Sequence, residues 1–136
     1  MLRSLVLVAI LAGSSTWQAA APAPAAPTYD AKYTDADGQV YTGTLTFAVD
    51  AKGVVTGTMK LTDPLEIVAT LGGTVKDGKW TFDYPFEIPS QGCLGTVKGT
   101  GDISADSKTV QGSAMSSGGC SEQPIQLTFT LTRQAK

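Results

Sequence analysis

The feature that most constrains this chain is an alternation of apolar side chains with threonine or charged side chains, which continues from Thr28 almost to the end. In the segment 41–49, for example, Leu45, Phe47 and Val49 alternate with threonine and alanine. A period of two residues is typical of half-buried β-strands, and eight segments have it. The sequence therefore predicts an all-β, single-domain antiparallel up-and-down meander of about eight strands.

Short turn sequences separate these strands, and the length of each turn decides which residues face each other. Asp77-Gly78 is a two-residue type I′ signal, whereas Asp35-Ala36-Asp37-Gly38 and Asp50-Ala51-Lys52-Gly53 suit a type I turn followed by a left-handed glycine. The expected partners are Val75 with Trp80, Tyr33 with Tyr41, Val49 with Val55, and, around Asp106-Ser107, Ile103 with Val110 and Gly101 with Gly112. In each pairing the apolar faces of the two strands lie on the same side of the sheet, as one shared core requires.

The two cysteines of the chain, Cys93 and Cys120, face each other when the register of the last of these hairpins is carried outward. Residues 1–20 resemble a secretory signal peptide, and cysteines of an exported protein are expected to pair, so register and compartment both predict a Cys93–Cys120 disulfide. The disulfide would join two predicted loops, residues 89–93 and 118–124.

Three features favour a small closed or nearly closed β-barrel: hairpins joined in sequence order, an even strand count and recurring glycines inside the strands. A two-sheet β-sandwich is the alternative. The plan is similar to that of the lipocalins, although the Gly-x-Trp near the first strand and the closing helix of that family are missing, so no family is assigned. An outer-membrane barrel is a further alternative. The threonine-rich face, the glycine gaps in the apolar face and the polar end at 133–136 count against it.

The N-terminal residues 1–20 have the layout of a secretory signal peptide, with Arg3, an apolar run from Leu5 to Leu11 and small residues around a cleavage site between 19 and 25. The apolar run is too short to span a bilayer. Residues 21–27 form an Ala/Pro-rich tether, and residues 28–136 form the β domain. We therefore expect a soluble exported protein, secreted or periplasmic, with no integral membrane segment after cleavage.

Composition argues against several functions. The chain has no histidine, the commonest general base and metal ligand, and its 10 basic and 12 acidic side chains form no block of like charge. Asp83 and Glu87 share one strand face, but it is the threonine face, where carboxylates are solvated. We expect no enzyme activity, no metal, no cofactor and no nucleic-acid partner.

The most informative segment for function is 80–88, which sends large side chains to one face. Its neighbour, 95–103, is rich in glycine, and the register expected here places Phe82 opposite Gly101 and Tyr84 opposite Gly99. Aromatic rings over strand glycines indicate either a filled core or a cavity walled by aromatics. The candidate ligand-binding residues are Tyr41, Trp80, Phe82, Tyr84 and Phe86.

Two function classes follow from these patterns. The first is a non-enzymatic binding protein that takes a small apolar or aromatic ligand into the barrel. The alternative is a protein-interaction, inhibitor or envelope-structural module that contacts an extracytoplasmic protein through the disulfide-linked loops.

Overall fold

A computed structural model describes residues 26–135 of the protein, and this part of the chain folds as nine antiparallel strands. The strands are β1 (Thr28–Asp35), β2 (Val40–Val49), β3 (Val55–Asp63), β4 (Ile67–Leu71), β5 (Thr74–Lys76), β6 (Lys79–Ile88), β7 (Cys93–Ile103), β8 (Thr109–Gly118) and β9 (Ser121–Arg133). A short 3-10 helix, Pro89–Gln91, joins β6 to β7. The signal-peptide prediction and most of the predicted tether lie outside the described residues.

Consecutive strands pair with each other except β4 and β5, and β1 also pairs with β9. Pairing of β4 with β6, through Val68 with Glu87 and Ala69 with Phe86, closes the sheet. The result is the predicted closed eight-stranded barrel, with β5 as one additional short strand.

The short β5 continues the line of β4 beyond a break at Gly72 and Gly73. Val68 of β4 faces Glu87, and Val75 of β5 faces Trp80, in one continuous register along β6. Strands β4 and β5 therefore lie on the same side of β6. Gly73 adopts φ +108, and a β-carbon there would meet the Thr81 carbonyl and would lie 2.9 Å from the Trp80 Nε1. A glycine at this bend therefore allows the backbone to pass over the Trp80 indole.

The hairpin registers predicted from the turns are confirmed. Tyr33 faces Tyr41, Val49 faces Val55, Val75 faces Trp80, Ile103 faces Val110 and Gly101 faces Gly112. In the turn after β1, the Asp35 side chain accepts hydrogen bonds from the backbone N–H groups of Asp37 and Gln39. Asp50 makes the equivalent bonds in the turn after β2, which explains the D-A-x-G form of both sequences.

The register expected between β6 and β7 is wrong by two residues. Trp80, not Phe82, faces Gly101, and Phe82 faces Gly99. The reason lies in the connection, where a 3-10 turn beginning at Pro89 ends at Gly92 with φ +64 and lets β7 start at Cys93, opposite Ile88. Large side chains still face glycines, since Phe86 pairs with Gly95.

The expected loop at 118–124 is also wrong, because β9 begins at Ser121. Gly119 and Cys120 both have φ of +67 and form a two-residue turn, so Gly118 pairs directly with Ser121. The disulfide between Cys93 and Cys120 is confirmed, with their Cα atoms 5.4 Å apart, and it ties this turn to the start of β7.

Apolar faces of all the strands turn toward one shared interior, as predicted. Strand β6 is the clearest case, because every second residue from Trp80 to Ile88 is buried and the residues between them are exposed. The threonine-rich faces lie outside, which is the reverse of an outer-membrane barrel. No helix within residues 26–135 is long and apolar enough to cross a membrane.

Candidate functional site

One half of the barrel interior is filled by aromatic side chains around Trp80, which is fully buried. The Trp80 ring lies 4.9 Å from that of Phe47 and 4.3 Å from that of Phe82, measured between centroids. Phe129 adds an edge-on contact to Phe82 at 5.7 Å. The indole N–H donates to the Gly72 carbonyl at 2.9 Å, so the polar atom of Trp80 has a partner. This half is close-packed, which is the ordinary state of a protein core.

The other half of the barrel contains a partly open cavity of about 270 Å³. It lies at the end where β6 turns into β7 and β8 turns into β9. Most of its wall is apolar, and no charged side chain of the described residues lines it. The lining residues are Tyr33, Tyr41, Met59, Leu61, Leu65, Ile67, Tyr84, Phe86, Ile88, Gln91, Val97, Ser116, Gly118, Gly119, Ile125 and Leu127.

Tyr33 and Tyr84 connect the cavity to the packed half. Tyr33 stacks on Phe129 at 5.4 Å, and Tyr84 lies parallel to Trp80 at 6.3 Å. Their hydroxyl oxygens are 3.5 Å apart, and the two side chains are 4% and 2% exposed. Burial is the main cause that raises the pKa of Tyr84 to about 12 and that of Tyr33 well above its ordinary value. Both phenols are therefore neutral at physiological pH and able to donate hydrogen bonds.

The open end of the cavity is bounded by the disulfide-linked connections. Gln91 of the 3-10 helix, Gly118 and Gly119 all line it. The Phe86 ring lies so close to Gly119 that a β-carbon there would be 2.7 Å from the ring. On the opposite wall, the Tyr41 hydroxyl donates to Asp35 over 3.5 Å. The Cys93–Cys120 disulfide therefore holds together the segments that shape the opening.

The five residues predicted to bind a ligand divide between the two halves of the barrel. Tyr41, Tyr84 and Phe86 line the cavity, whereas Trp80 and Phe82 lie in the packed half and do not. Sequence reasoning missed Tyr33 and Ser116, the latter being the polar residue buried beside Val97 and Ile125. The alternation pattern placed Tyr33 on the apolar face, which is the signal that could have identified it.

Raising the pH above 10 is expected to destabilise the protein through the buried tyrosines. In the unfolded chain a tyrosine has a pKa of about 10, so the folded state holds the Tyr84 proton more tightly. The resulting stabilisation is complete below about pH 10 and is lost as the pH rises through about 12. Urea unfolding followed by circular dichroism at pH values from about 9 to 12 measures this loss.

The matched control for this pH prediction is Tyr84→Phe, which removes the titrating group and keeps the ring. We expect the free energy of unfolding of this variant to fall less steeply with pH than that of the wild type. An equal slope in both proteins would contradict the assignment of the alkaline effect to Tyr84.

Comparison with solved structures gives designed β-barrels. The chain is similar to a redesigned β-barrel, b11L5F_LGL, with 21% identity over 81% of this chain and 91% of that chain, and a TM-score of 0.65. It is also similar to the redesigned barrel mFAP1 bound to DFHBI, with 20% identity over 79% of this chain and 94% of that one, and a TM-score of 0.61. A fluorescence-activating β-barrel designed de novo matches at 14% identity over 80% and 93% of the two chains, with a TM-score of 0.55.

These likenesses are below 25% identity and concern the fold. They agree with the small closed β-barrel seen in the strand pairing. No protein-family model matches the chain, and no curated protein matches it by sequence.

Proposed function

We propose that this protein is an exported, non-enzymatic binding protein that takes a small apolar or aromatic ligand into the cavity of its barrel. The observation that carries the proposal is the apolar cavity of about 270 Å³ beside an otherwise close-packed core. Binding pockets for small organic molecules are mostly apolar, start at about 300 Å³ and contain few polar groups. At about 270 Å³ the cavity lies at the lower limit of this range and suits a small compound.

The wall of the cavity has the composition that such a ligand needs. Leu61, Ile67, Leu127 and their neighbours supply apolar surface, and Tyr84 and Phe86 supply aromatic faces. The few polar groups are hydroxyls and the Gln91 amide, which can orient a ligand without charge. The mFAP1 barrel, which is similar in fold, is bound to DFHBI, and this supports the idea that a barrel of this size can hold an organic molecule.

Protein binding through the disulfide-linked end is the weaker alternative. This end offers a two-residue turn at Gly119-Cys120 in place of the longer loop expected from the sequence. Among the residues of the disulfide-linked connections, 89–93 and 118–121, and their immediate neighbours, Leu94 is the exposed large hydrophobic residue, at 72% exposure. Isolated exposed hydrophobic residues are common on protein surfaces and do not indicate an interface.

A pair of leucine substitutions on β8 tests the proposal. Ser116→Leu places a larger side chain in the cavity, whereas Ser113→Leu puts the same side chain on an exposed position of the same strand. We expect apolar aromatic dyes, with DFHBI among them, to bind the wild type and Ser113→Leu alike. Their affinity for Ser116→Leu should fall about tenfold or more, because the ligand and the new side chain compete for one space.

Dye emission titrations measure these affinities, and circular dichroism checks that each variant is folded. Dye binding that is unchanged in a folded Ser116→Leu variant would mean that the dyes bind elsewhere. That result, or no binding of any dye to the wild type, would overturn the proposal.

A further inference from the structure

The hydroxyl pair of Tyr33 and Tyr84 is unusual because it is buried and incompletely hydrogen-bonded. The two oxygens are 3.5 Å apart, whereas O–H···O hydrogen bonds are normally about 2.5 to 3.0 Å. Within residues 26–135 each hydroxyl has the other as its protein hydrogen-bond partner. Both residues line the cavity, and their rings are held in place by stacking on Phe129 and Trp80.

A count of protons leaves one donor unused. Two hydroxyls that face each other carry two O–H protons but form one mutual hydrogen bond. Whichever tyrosine donates, the proton of the other hydroxyl has no acceptor among the described residues. A buried donor without an acceptor is unfavourable, so an acceptor atom that entered the cavity would be stabilised at this point.

The charge of the site restricts what that acceptor can be. No lysine or arginine of the described residues lines the cavity, so an anionic group would lose its hydration without gaining an opposite charge. The charges next to Tyr41 at the wall are negative, since Asp35 accepts the hydrogen bond of Tyr41 and the Asp37 carboxylate also lies close to it. A neutral acceptor such as a carbonyl oxygen has no charge to desolvate and is not repelled by the nearby carboxylates.

We propose that the cavity selects a neutral aromatic ligand with a carbonyl-type acceptor, which accepts a hydrogen bond from the Tyr33–Tyr84 hydroxyl pair. This inference rests on the proposed ligand-binding function and narrows its ligand class. The two tyrosines are interchangeable in this role, because either hydroxyl alone retains a proton that it can donate to the ligand.

Three probes that share the indane ring system test the inference: indane, 1-indanone and indane-1-carboxylate. Their affinities are measured by following the backbone amide signals of the cavity-lining residues in NMR titrations. In the wild type we expect 1-indanone to bind most tightly and the carboxylate least. The ratio of the 1-indanone affinity to the indane affinity should fall about five- to tenfold in the Tyr33→Phe/Tyr84→Phe double variant.

Single variants test whether either hydroxyl can act alone, and a distant tyrosine provides the control. Tyr33→Phe and Tyr84→Phe should each lower the preference for 1-indanone less than the double variant does, since one donor remains in each. Tyr29→Phe should keep it fully, because the Tyr29 hydroxyl donates to the Ser107 carbonyl, away from the cavity lining.

The outcomes separate this inference from the proposed function. An unchanged affinity ratio in the folded double variant, with all probes still bound in the cavity, would overturn the acceptor preference and leave the ligand-binding function intact. Tightest binding of the carboxylate would overturn the preference for a neutral ligand. Failure of every probe to shift the cavity signals would overturn the ligand-binding function, and this inference with it.

Discussion

Replacing Trp80 by alanine is expected to lower the free energy of unfolding by about 3 to 5 kcal/mol. The indole is fully buried and packs between the rings of Phe47 and Phe82, so its removal leaves a large void in the packed half of the barrel. The Gly72 carbonyl also loses its hydrogen bond from the indole N–H. A small domain has a net stability of about 5 to 15 kcal/mol, so the loss is a large share of the total.

Urea unfolding followed by circular dichroism measures this effect, because the variant lacks the fluorescent Trp80 side chain. Trp80→Phe keeps a ring and removes the N–H. We expect its free energy of unfolding to lie between those of the alanine variant and the wild type. Leu94→Ala, at a position that is 72% exposed, serves as the surface control and should change stability little. A loss below about 1 kcal/mol for a folded Trp80→Ala variant would contradict the packing described for this half.

Loss of the Cys93–Cys120 disulfide is the second large effect. The two cysteines are 27 residues apart in sequence, and opening a loop of that length is expected to cost about 3 to 4 kcal/mol in the chain-entropy model. The link holds the β8–β9 turn against the start of β7, where Gly118 and Gly119 line the cavity. We therefore expect the Cys93→Ser/Cys120→Ser variant to bind cavity dyes more weakly as well.

Unfolding of the wild type with and without a reductant gives the same comparison without mutation. The serine double variant is the matched control, since a reductant should leave its stability unchanged. Equal free energies of unfolding for oxidised and reduced wild type would show that the disulfide does not stabilise the fold.

The strands and most hairpin registers could be predicted because their determinants are local. Asp77-Gly78 forms a two-residue turn with both φ angles positive, and this alone sets Val75 opposite Trp80. The registers around Gly38 and Gly53 follow from the same kind of local geometry. The disulfide could be predicted for this reason too, because the Ile103–Val110 register continues to Gly95–Gly118, two residues from each cysteine.

The local sequence of the connection between β6 and β7 did not determine the register of these two strands. Residues 89–92 allow several turn geometries, and the choice of a 3-10 turn with left-handed Gly92 shifted the partner of Phe82 from Gly101 to Gly99. A change of two residues keeps every side chain on its own face. The alternation pattern therefore could not distinguish the two registers.

Alternation by itself determined which side chains point into the barrel, since a period of two residues assigns each side chain to one face. The tertiary structure decided how far along the barrel each one lies, because that depends on the pairing of β4 with β6 and on the tilt of the strands. Trp80 and Phe82 consequently fill the packed half, while Tyr84 and Phe86, on the same face of the same strand, line a cavity. The approach of the Tyr33 and Tyr84 hydroxyls across 51 residues of sequence is likewise a product of barrel closure, which no local pattern encodes.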